Sequence, residues 1–236
     1  MTPLRKAPRV PGANRWPDLR SRSTEGELLD APLPAAEARK SLGDLRLVNR
    51  WLGGRGGLLR AVAPHLPPRG RLLDVGCGSG DMAAYLSSRL AHPVLAVGVD
   101  LKLVHLREAP PVVRRVAADV WRLPFRDRSF DVVTASLFLH HFDEADLGRL
   151  LRELARLARR AVVVSDLERA LVPFVFARAV FPLLFATPVS VHDGLVSIRR
   201  GFRKPELRAA FVAAGLRGVR IRRLFPYRLL AVAAAP

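Results

Sequence analysis

The chain has 236 residues, half of them apolar, so it can bury one sizeable α/β core. Its 39 basic residues outnumber 21 acidic ones, for a formal net charge of +18. The single cysteine, Cys77, excludes an internal disulfide and a cysteine-based zinc site. We therefore expect a cytoplasmic protein with one main domain.

The positive charge comes almost entirely from arginine, because only four of the basic residues are lysine. These arginines are scattered through every segment, and no basic patch is interleaved with aromatic residues, a pattern that disfavours binding to nucleic acid. A basic surface can also attract an anionic membrane, and peripheral contact of that kind stays open.

The N-terminal quarter divides into two parts. Residues 1–24 are rich in arginine and proline with little to bury, which predicts a disordered basic tail. Residues 25–66 follow with a short turn and two helices, Ala35–Trp51 and Leu58–Ala63, on either side of a glycine cluster.

A glycine-rich turn comes next. Leu72–Val75 reads as a buried strand, and Gly76, Gly78 and Gly80 follow before a new helical pattern. Such a turn brings backbone N–H groups and a helix N-terminus against a ligand. The spacing differs from the dinucleotide and P-loop motifs, and Asp74 at the strand end would repel a pyrophosphate but attract an ammonium group.

With its surroundings, this stretch resembles the first motif of the class I S-adenosylmethionine (SAM)-dependent methyltransferases. The resemblance runs from about Leu72 to the C-terminus and includes Asp100, Asp119 and the segment Phe130–Ser136. It implies SAM as cofactor, with the ribose hydroxyls on Asp100 and the adenine amine on Asp119. The residues assigned to cofactor binding are Asp74, Gly76, Cys77, Gly78, Gly80, Asp81, Asp100, Leu101, Asp119, Val120 and Ser136. Asp100 has a second interpretation, as a cap of a helix over Leu101–Ala109.

Strands and helices alternate through the rest of residues 67–236, which predicts right-handed crossovers and a parallel sheet. The further strands are expected at Val94–Val99, Val112–Ala117, Phe130–Ala135 and Ala161–Leu167, with a hairpin of Arg217–Leu224 and Tyr227–Val232. The fold class is α/β: a doubly wound, seven-stranded, mostly parallel, Rossmann-like sheet with an antiparallel C-terminal hairpin strand. In the family, helices such as those of residues 25–66 form a lid.

The segment 168–200 is apolar and aromatic between Val172 and Val191. Three prolines and an arginine interrupt it, which disfavours a transmembrane helix. In methyltransferases of this type, an insertion at this point usually covers the substrate. Before it, Asp143 is the expected N-cap of a helix, with Asp146 three residues on.

Three histidines are candidates for the removal of a proton from a hydroxyl nucleophile. His140 and His141 follow the fourth strand, and His140 falls where the plant phenolic O-methyltransferases place their base. A histidine that only caps the following helix is the alternative. His192 ends the apolar segment and lies either in the pocket or in a surface turn. The acidic and histidine spacings predict no metal site.

The pattern therefore favours a SAM-dependent methyltransferase that acts on an apolar small molecule, at a phenolic or polyketide hydroxyl or a quinone-type carbon. The aromatic segment supports an apolar substrate. An RNA or other macromolecule methyltransferase is the alternative, and an inactive SAM-binding module is a further one. The oligomeric state stays open.

Overall fold

A seven-stranded sheet forms the centre of the computed structural model, which describes residues 17–31, 33–52 and 54–236. Its order is β3-β2-β1-β4-β5-β7-β6, with β1 to β5 parallel and β7 antiparallel to both of its neighbours. The strands are β1 (Arg71–Val75), β2 (Leu95–Asp100), β3 (Val113–Ala117), β4 (Phe130–Ser136), β5 (Ala158–Leu167), β6 (Arg220–Leu224) and β7 (Arg228–Ala234). The predicted doubly wound sheet with an antiparallel C-terminal hairpin is confirmed.

Helices cover both faces of this sheet. They are α1 (Ala35–Trp51), α2 (Gly54–Val62), α3 (Asp81–Arg89), α4 (Leu103–Leu106), α5 (Glu144–Leu157), α6 (Leu171–Leu184), α7 (Pro188–Arg200) and α8 (Lys204–Ala213). The bounds of α1 agree with the prediction, whereas α2 begins four residues before the predicted Leu58.

One local prediction was wrong and another holds in part. The helix expected over Leu101–Ala109 is limited to the single turn Leu103–Leu106, and the N–H of its N-cap residue Lys102 donates to the Asp100 carboxylate. Asp143 is the N-cap residue of α5, as predicted, although its side chain makes no capping hydrogen bond to the described residues. The acidic residues Glu144 and Asp146 still lie in the first turn of α5, where their negative charges stabilise the positive end of the helix dipole.

The alternating side chains of the strands build two cores. Leu73 and Val75 of β1 pack into the larger cluster with the apolar face of α5 and with α8. Leu72 of the same strand points to the other face and packs with Leu58 and Val62 of α2. The period of two along a buried strand thus fixes a helix layer on each side of the sheet.

The structure describes part of the predicted N-terminal tail. Of the tail predicted over 1–24, residues 1–16 lie outside the described residues. Residues 17–24 pack against the domain, where the Arg22 guanidinium donates to the carbonyls of Arg200 and Phe142 at 2.9 and 2.8 Å.

The apolar segment folds as α6 and α7, which follow β5 and precede α8 along the chain. These two helices pack against each other. Among the described residues there is no helix long and apolar enough to cross a membrane.

Candidate functional site

A cavity of about 790 Å³ lies where the parallel strands end, under α1 and beside α6 and α7. It is lined at one end by the glycine turn and the ends of β2 and β3, and at the other by aromatic side chains of the 168–200 segment. The strand order reverses between β1 and β4, and ligands of open α/β sheets bind outside that switch point.

The glycine turn has the geometry that its sequence requires. Gly76, Gly78 and Gly80 adopt φ angles of +67°, +54° and +65°, which residues with a Cβ rarely adopt. A Cβ on Gly76 would also lie 2.0 Å from the ring of Phe138, which lines the cavity. The turn therefore presents bare backbone to the cavity.

Asp100 ends β2 and faces this turn. Its two carboxylate oxygens accept the N–H groups of Gly78 at 2.8 Å and of Lys102 at 2.9 Å. Burial alone would raise its pKa, but hydrogen bonds from His105 and from these backbone groups outweigh it and hold the pKa below its usual value. The carboxylate is thus charged, lines the cavity, and keeps further lone pairs for ribose hydroxyls.

Three more predicted cofactor residues line the same end of the cavity: Leu101, Asp119 and Val120. Leu101 is 69% exposed, a large apolar side chain without a cover at the cavity edge. Asp119 caps the 3-10 turn Val120–Arg122 by accepting the Trp121 N–H at 2.9 Å, and it is otherwise exposed.

Five other predicted cofactor residues do not line the cavity. Asp74 and Cys77 support the turn from behind: Asp74 accepts the Thr134 hydroxyl at 2.8 Å, and burial raises its pKa to about 7. Burial also raises the pKa of the Cys77 thiol, so it is not reactive. Gly80 and Asp81 begin α3, and Ser136 ends β4. Direct contact of Asp74 with an ammonium group is therefore not supported.

Asp81 instead connects the turn to the N-terminal helices. It accepts hydrogen bonds from Asn49 at 3.4 Å and Arg55 at 3.3 Å. Asn49 in turn accepts from the guanidinium of Arg228 at 3.1 Å. Arg228 lines the cavity with almost no exposed surface, and its Nε and Nη1 have no partner among the described residues. Burial lowers its pKa to about 10, so it stays a cation.

His140 lies at the other end of the cavity, in the 3-10 turn Leu139–His141. Its Nδ1 is 2.6 Å from Asp166 and its Nε2 is 3.2 Å from Glu27. Burial alone would lower its pKa, but Asp166 and then Glu27 outweigh it and raise the pKa to about 10. In this arrangement the imidazole is protonated at neutral pH and has no free lone pair, which does not fit the predicted role of a base.

His141 stacks on His140 with ring centroids 4.4 Å apart. Its Nδ1 is 2.9 Å from Asp30 and its Nε2 is 3.9 Å from Glu27. The buried Arg200 holds this turn from below, because it donates to the carbonyls of both histidines at 2.7 Å. Its third hydrogen bond, 2.9 Å to the Glu25 carbonyl, attaches the N-terminal segment.

Comparison with known proteins agrees with this geometry. Residues 73–164 match the family model described as a methyltransferase domain. A SAM-dependent methyltransferase from Aquifex aeolicus superposes with a TM-score of 0.62 at 17% identity, over 87% of this chain and 100% of the other, which shows the fold. The chain carries a class I SAM-dependent methyltransferase domain.

Curated relatives of this methyltransferase domain act on small molecules. The demethylmenaquinone methyltransferase of Roseiflexus sp. (strain RS-1) is 38% identical over 115 residues, 46% of this chain and 47% of the relative. The 27-O-demethylrifamycin SV methyltransferase of Amycolatopsis mediterranei (strain S699) is 36% identical over 109 residues, 42% of this chain and 39% of the relative. The chain spans about half the length, or less, of these relatives.

His192 lies outside the lining of the methyltransferase cavity, so the pocket position considered for it is not supported. Its Nδ1 is 2.9 Å from Asp193 and its Nε2 is 3.2 Å from Glu25. The histidine thus joins α7 to the N-terminal segment, and Asp193 strengthens that junction by accepting two backbone N–H groups of the segment, at 2.7 and 2.8 Å.

Several charged residues in and around the cavity were not found from the sequence. Glu27, Arg200 and Arg228 lie in segments far apart along the chain, and no local pattern marks them. Asp166 did carry a signal: it lies near the end of a buried strand, just as Asp74 and Asp100 do. An acidic residue near the carboxyl end of a parallel strand therefore indicates a group close to the cavity, although of these three only Asp100 lines it.

Proposed function

We propose that the protein transfers a methyl group from SAM to an apolar small molecule, at an acidic hydroxyl or a quinone-type carbon. The observation that carries this proposal is one continuous cavity. It runs from a charged end at the glycine turn, the cofactor end, to an end lined by the aromatic residues of 168–200, the acceptor end. Both relatives named above act on small molecules of this general class, which supports the substrate type.

The residues of the cofactor end match the parts of SAM. Asp100 offers acceptors for a ribose diol, and Asp119 offers one for an adenine amine. The unpartnered nitrogens of Arg228 offer donors for a carboxylate. When bound, SAM supplies an electrophilic methyl carbon on a sulfonium, so the protein has to orient the acceptor and exclude water.

The state of His140 favours acceptors that ionise easily. A protonated imidazole between two carboxylates cannot take a proton, so an alcohol of ordinary acidity would find no base there. Phenols, enols and hydroquinones need less help. Positioning by Phe176, Phe181 and Phe185, which line the acceptor end, then contributes most of the rate.

We further propose a cytoplasmic protein that touches an anionic membrane to collect its substrate. Val172, Phe176 and Phe225 line the cavity and are also exposed, Phe225 to 91%, so the mouth of the cavity is apolar. The net charge of +18 adds attraction to anionic lipid. Phe225→Ser should reduce co-sedimentation with anionic vesicles, whereas Val212→Ser, at an exposed site on α8, should not. Equal binding of all three proteins would contradict this contact.

The test of the proposed function is transfer of a labelled methyl group from SAM into a lipid extract and, separately, into bulk RNA. We expect label in the apolar fraction only. Label in RNA would favour the macromolecule alternative. SAM binding by calorimetry without transfer to either fraction would favour the inactive binding module.

A further inference from the structure

The acceptor end contains a cluster of side chains that the methyl-transfer proposal does not use. Glu27, His140 and His141 each offer one ligand atom, and these atoms all lie within 4.8 Å of one another. Glu27 comes from the N-terminal segment and the two histidines from the turn after β4, so the cluster exists only in the folded chain.

We propose that this cluster is a binding site for a divalent transition-metal ion, with Zn²⁺ as the best match. Two imidazoles and a carboxylate are ligands that zinc prefers, and three protein ligands leave a fourth position open. Ligand atoms around a tetrahedral zinc lie roughly 3.3 Å apart when the bonds are about 2.0–2.1 Å long. The distances from Glu27 oxygens to the Nε2 atoms of His140 and His141 are 3.2 and 3.9 Å.

The surroundings of the histidines supply a second, independent observation. The Nδ1 of His140 is held by Asp166 at 2.6 Å, and the Nδ1 of His141 is held by Asp30 at 2.9 Å. Zinc-binding histidines almost always donate their other ring N–H to a carboxylate, a carbonyl or a water, which fixes the ring and its tautomer. Here each histidine has its own carboxylate, and both direct their Nε2 toward Glu27.

Glu27 is held in the same way. The hydroxyl of Ser197 on α7 lies 2.5 Å from Glu27 Oε1 and 2.7 Å from the Asp193 carbonyl, and it can donate its one proton to Glu27. The Glu27 side chain is only 8% exposed. The three proposed ligands thus have fixed orientations from three different supporting groups, which is the arrangement that metal sites require.

The neighbouring histidine shows what an ordinary ion pair looks like in this protein. His192 also lies between two carboxylates, Asp193 and Glu25, but no second imidazole faces the same point and it does not line the cavity. His192 therefore makes a matched control for the cluster.

One consequence rests on the proposed methyl transfer. Because Glu27, His140 and His141 all line the cavity, an oxygen atom of the acceptor can occupy the open position on the metal. Coordination would require His140 to release its Nε2 proton and to bind the metal as a neutral imidazole, so the protonated state described above belongs to the metal-free protein. A bound metal ion would lower the pKa of a hydroxyl that it coordinates, and the hydroxyl proton would pass to water.

The direct test is titration of the tag-free, chelator-treated protein with Zn²⁺ alone by calorimetry, with Co²⁺ absorption as a reporter of coordination. We expect one ion per chain. His141→Ala should weaken binding at least 100-fold, and Asp30→Asn, which removes only the supporting carboxylate, by about 10–100-fold. His192→Ala should bind as the wild type does, because Asp193 still holds the N-terminal segment through the N–H groups of Leu28 and Leu29. Circular dichroism would establish that each variant is folded.

Absence of stoichiometric binding by the folded wild type would overturn the metal site, as would equal affinity in the wild type and His141→Ala. An equal loss in His192→Ala would mean that the ion binds to surface carboxylates in general. The metal titration is independent of methyl transfer. Zinc binding without methyl transfer would support the metal site and contradict the proposed function. Methyl transfer without zinc binding would support the proposed function and contradict the metal site.

Discussion

The two ends of the cavity are built in different ways. At the cofactor end, Asp100 accepts backbone N–H groups of Gly78 and of Lys102, its neighbour but one, so contacts with the main chain fix the geometry. At the acceptor end, Glu27, His140 and Asp166 come from three separate segments and meet mainly through charged side chains, with one backbone N–H, that of His140, donating to Asp166 at 3.3 Å. The first end is therefore preformed by the sheet, whereas the second depends on how the N-terminal segment docks. Substitutions should affect the two ends separately.

The largest effect is expected at the glycine turn. Gly76→Ala forces a Cβ into the left-handed region and to within 2.0 Å of the Phe138 ring. The backbone penalty and the overpacking together should lower the free energy of unfolding by about 2–5 kcal/mol. Gly218→Ala, at an exposed site with nothing within 4 Å, should change it by less than about 0.5 kcal/mol in urea titrations. Equal stability of the two variants would mean that the turn is not tightly packed.

Asp74 gives the turn a pH dependence. Its pKa is about 7 in the folded state, against the ordinary aspartate value of 3.8, so the folded state holds this proton more tightly. The stability that this proton contributes is complete below about pH 4 and is lost as the pH rises to about 7. Asp74→Asn removes the ionisation, so its stability relative to wild type should increase by up to about 4 kcal/mol between pH 4 and pH 8. The same stability difference at both pH values would contradict a raised pKa of the buried Asp74 carboxyl.

The acceptor end should respond to Arg200. Arg200→Met removes three hydrogen bonds, to the carbonyls of His140, His141 and Glu25. We expect a loss of about 2–3 kcal/mol in the free energy of unfolding, because a charged donor is removed from buried acceptors. The KM for the acceptor should rise while SAM affinity stays constant. A parallel loss of SAM affinity would show that the two ends are coupled.

A smaller effect is expected at Asp119, which is exposed and has only one internal hydrogen bond. Asp119→Ala should weaken adenosyl ligands roughly 2–10-fold, as expected for one hydrogen bond of about 0.5–1.5 kcal/mol. Weak binding of free methionine should not change. If both ligands lose affinity equally, Asp119 supports the pocket as a whole and not the adenine.

The same difference between the ends explains what the sequence could predict. The strands, α1 and the turn at Gly76 follow from short-range patterns: apolar runs of strand length, helical spacing, and glycines where φ is positive. The contacts around His140 could not be predicted, because Glu27 is 113 residues away and Asp166 is 26. A histidine in isolation resembles a base, and only the folded neighbours reveal a raised pKa. The local motif also led to the prediction that Asp74 binds the cofactor, whereas this residue is buried behind the turn and does not line the cavity.

Calorimetric titration of SAM into the wild type, Asp100→Ala and His141→Ala tests most directly whether the cofactor binds at the glycine turn. We expect one SAM per chain. Loss of the Asp100 acceptors should weaken binding by about 1.5–3 kcal/mol, or roughly 10–150-fold, and the loss of His141 should leave SAM affinity unchanged. No binding by the folded wild type, or an equal loss in the two variants, would contradict a cofactor end at the glycine turn that is separate from the histidine cluster.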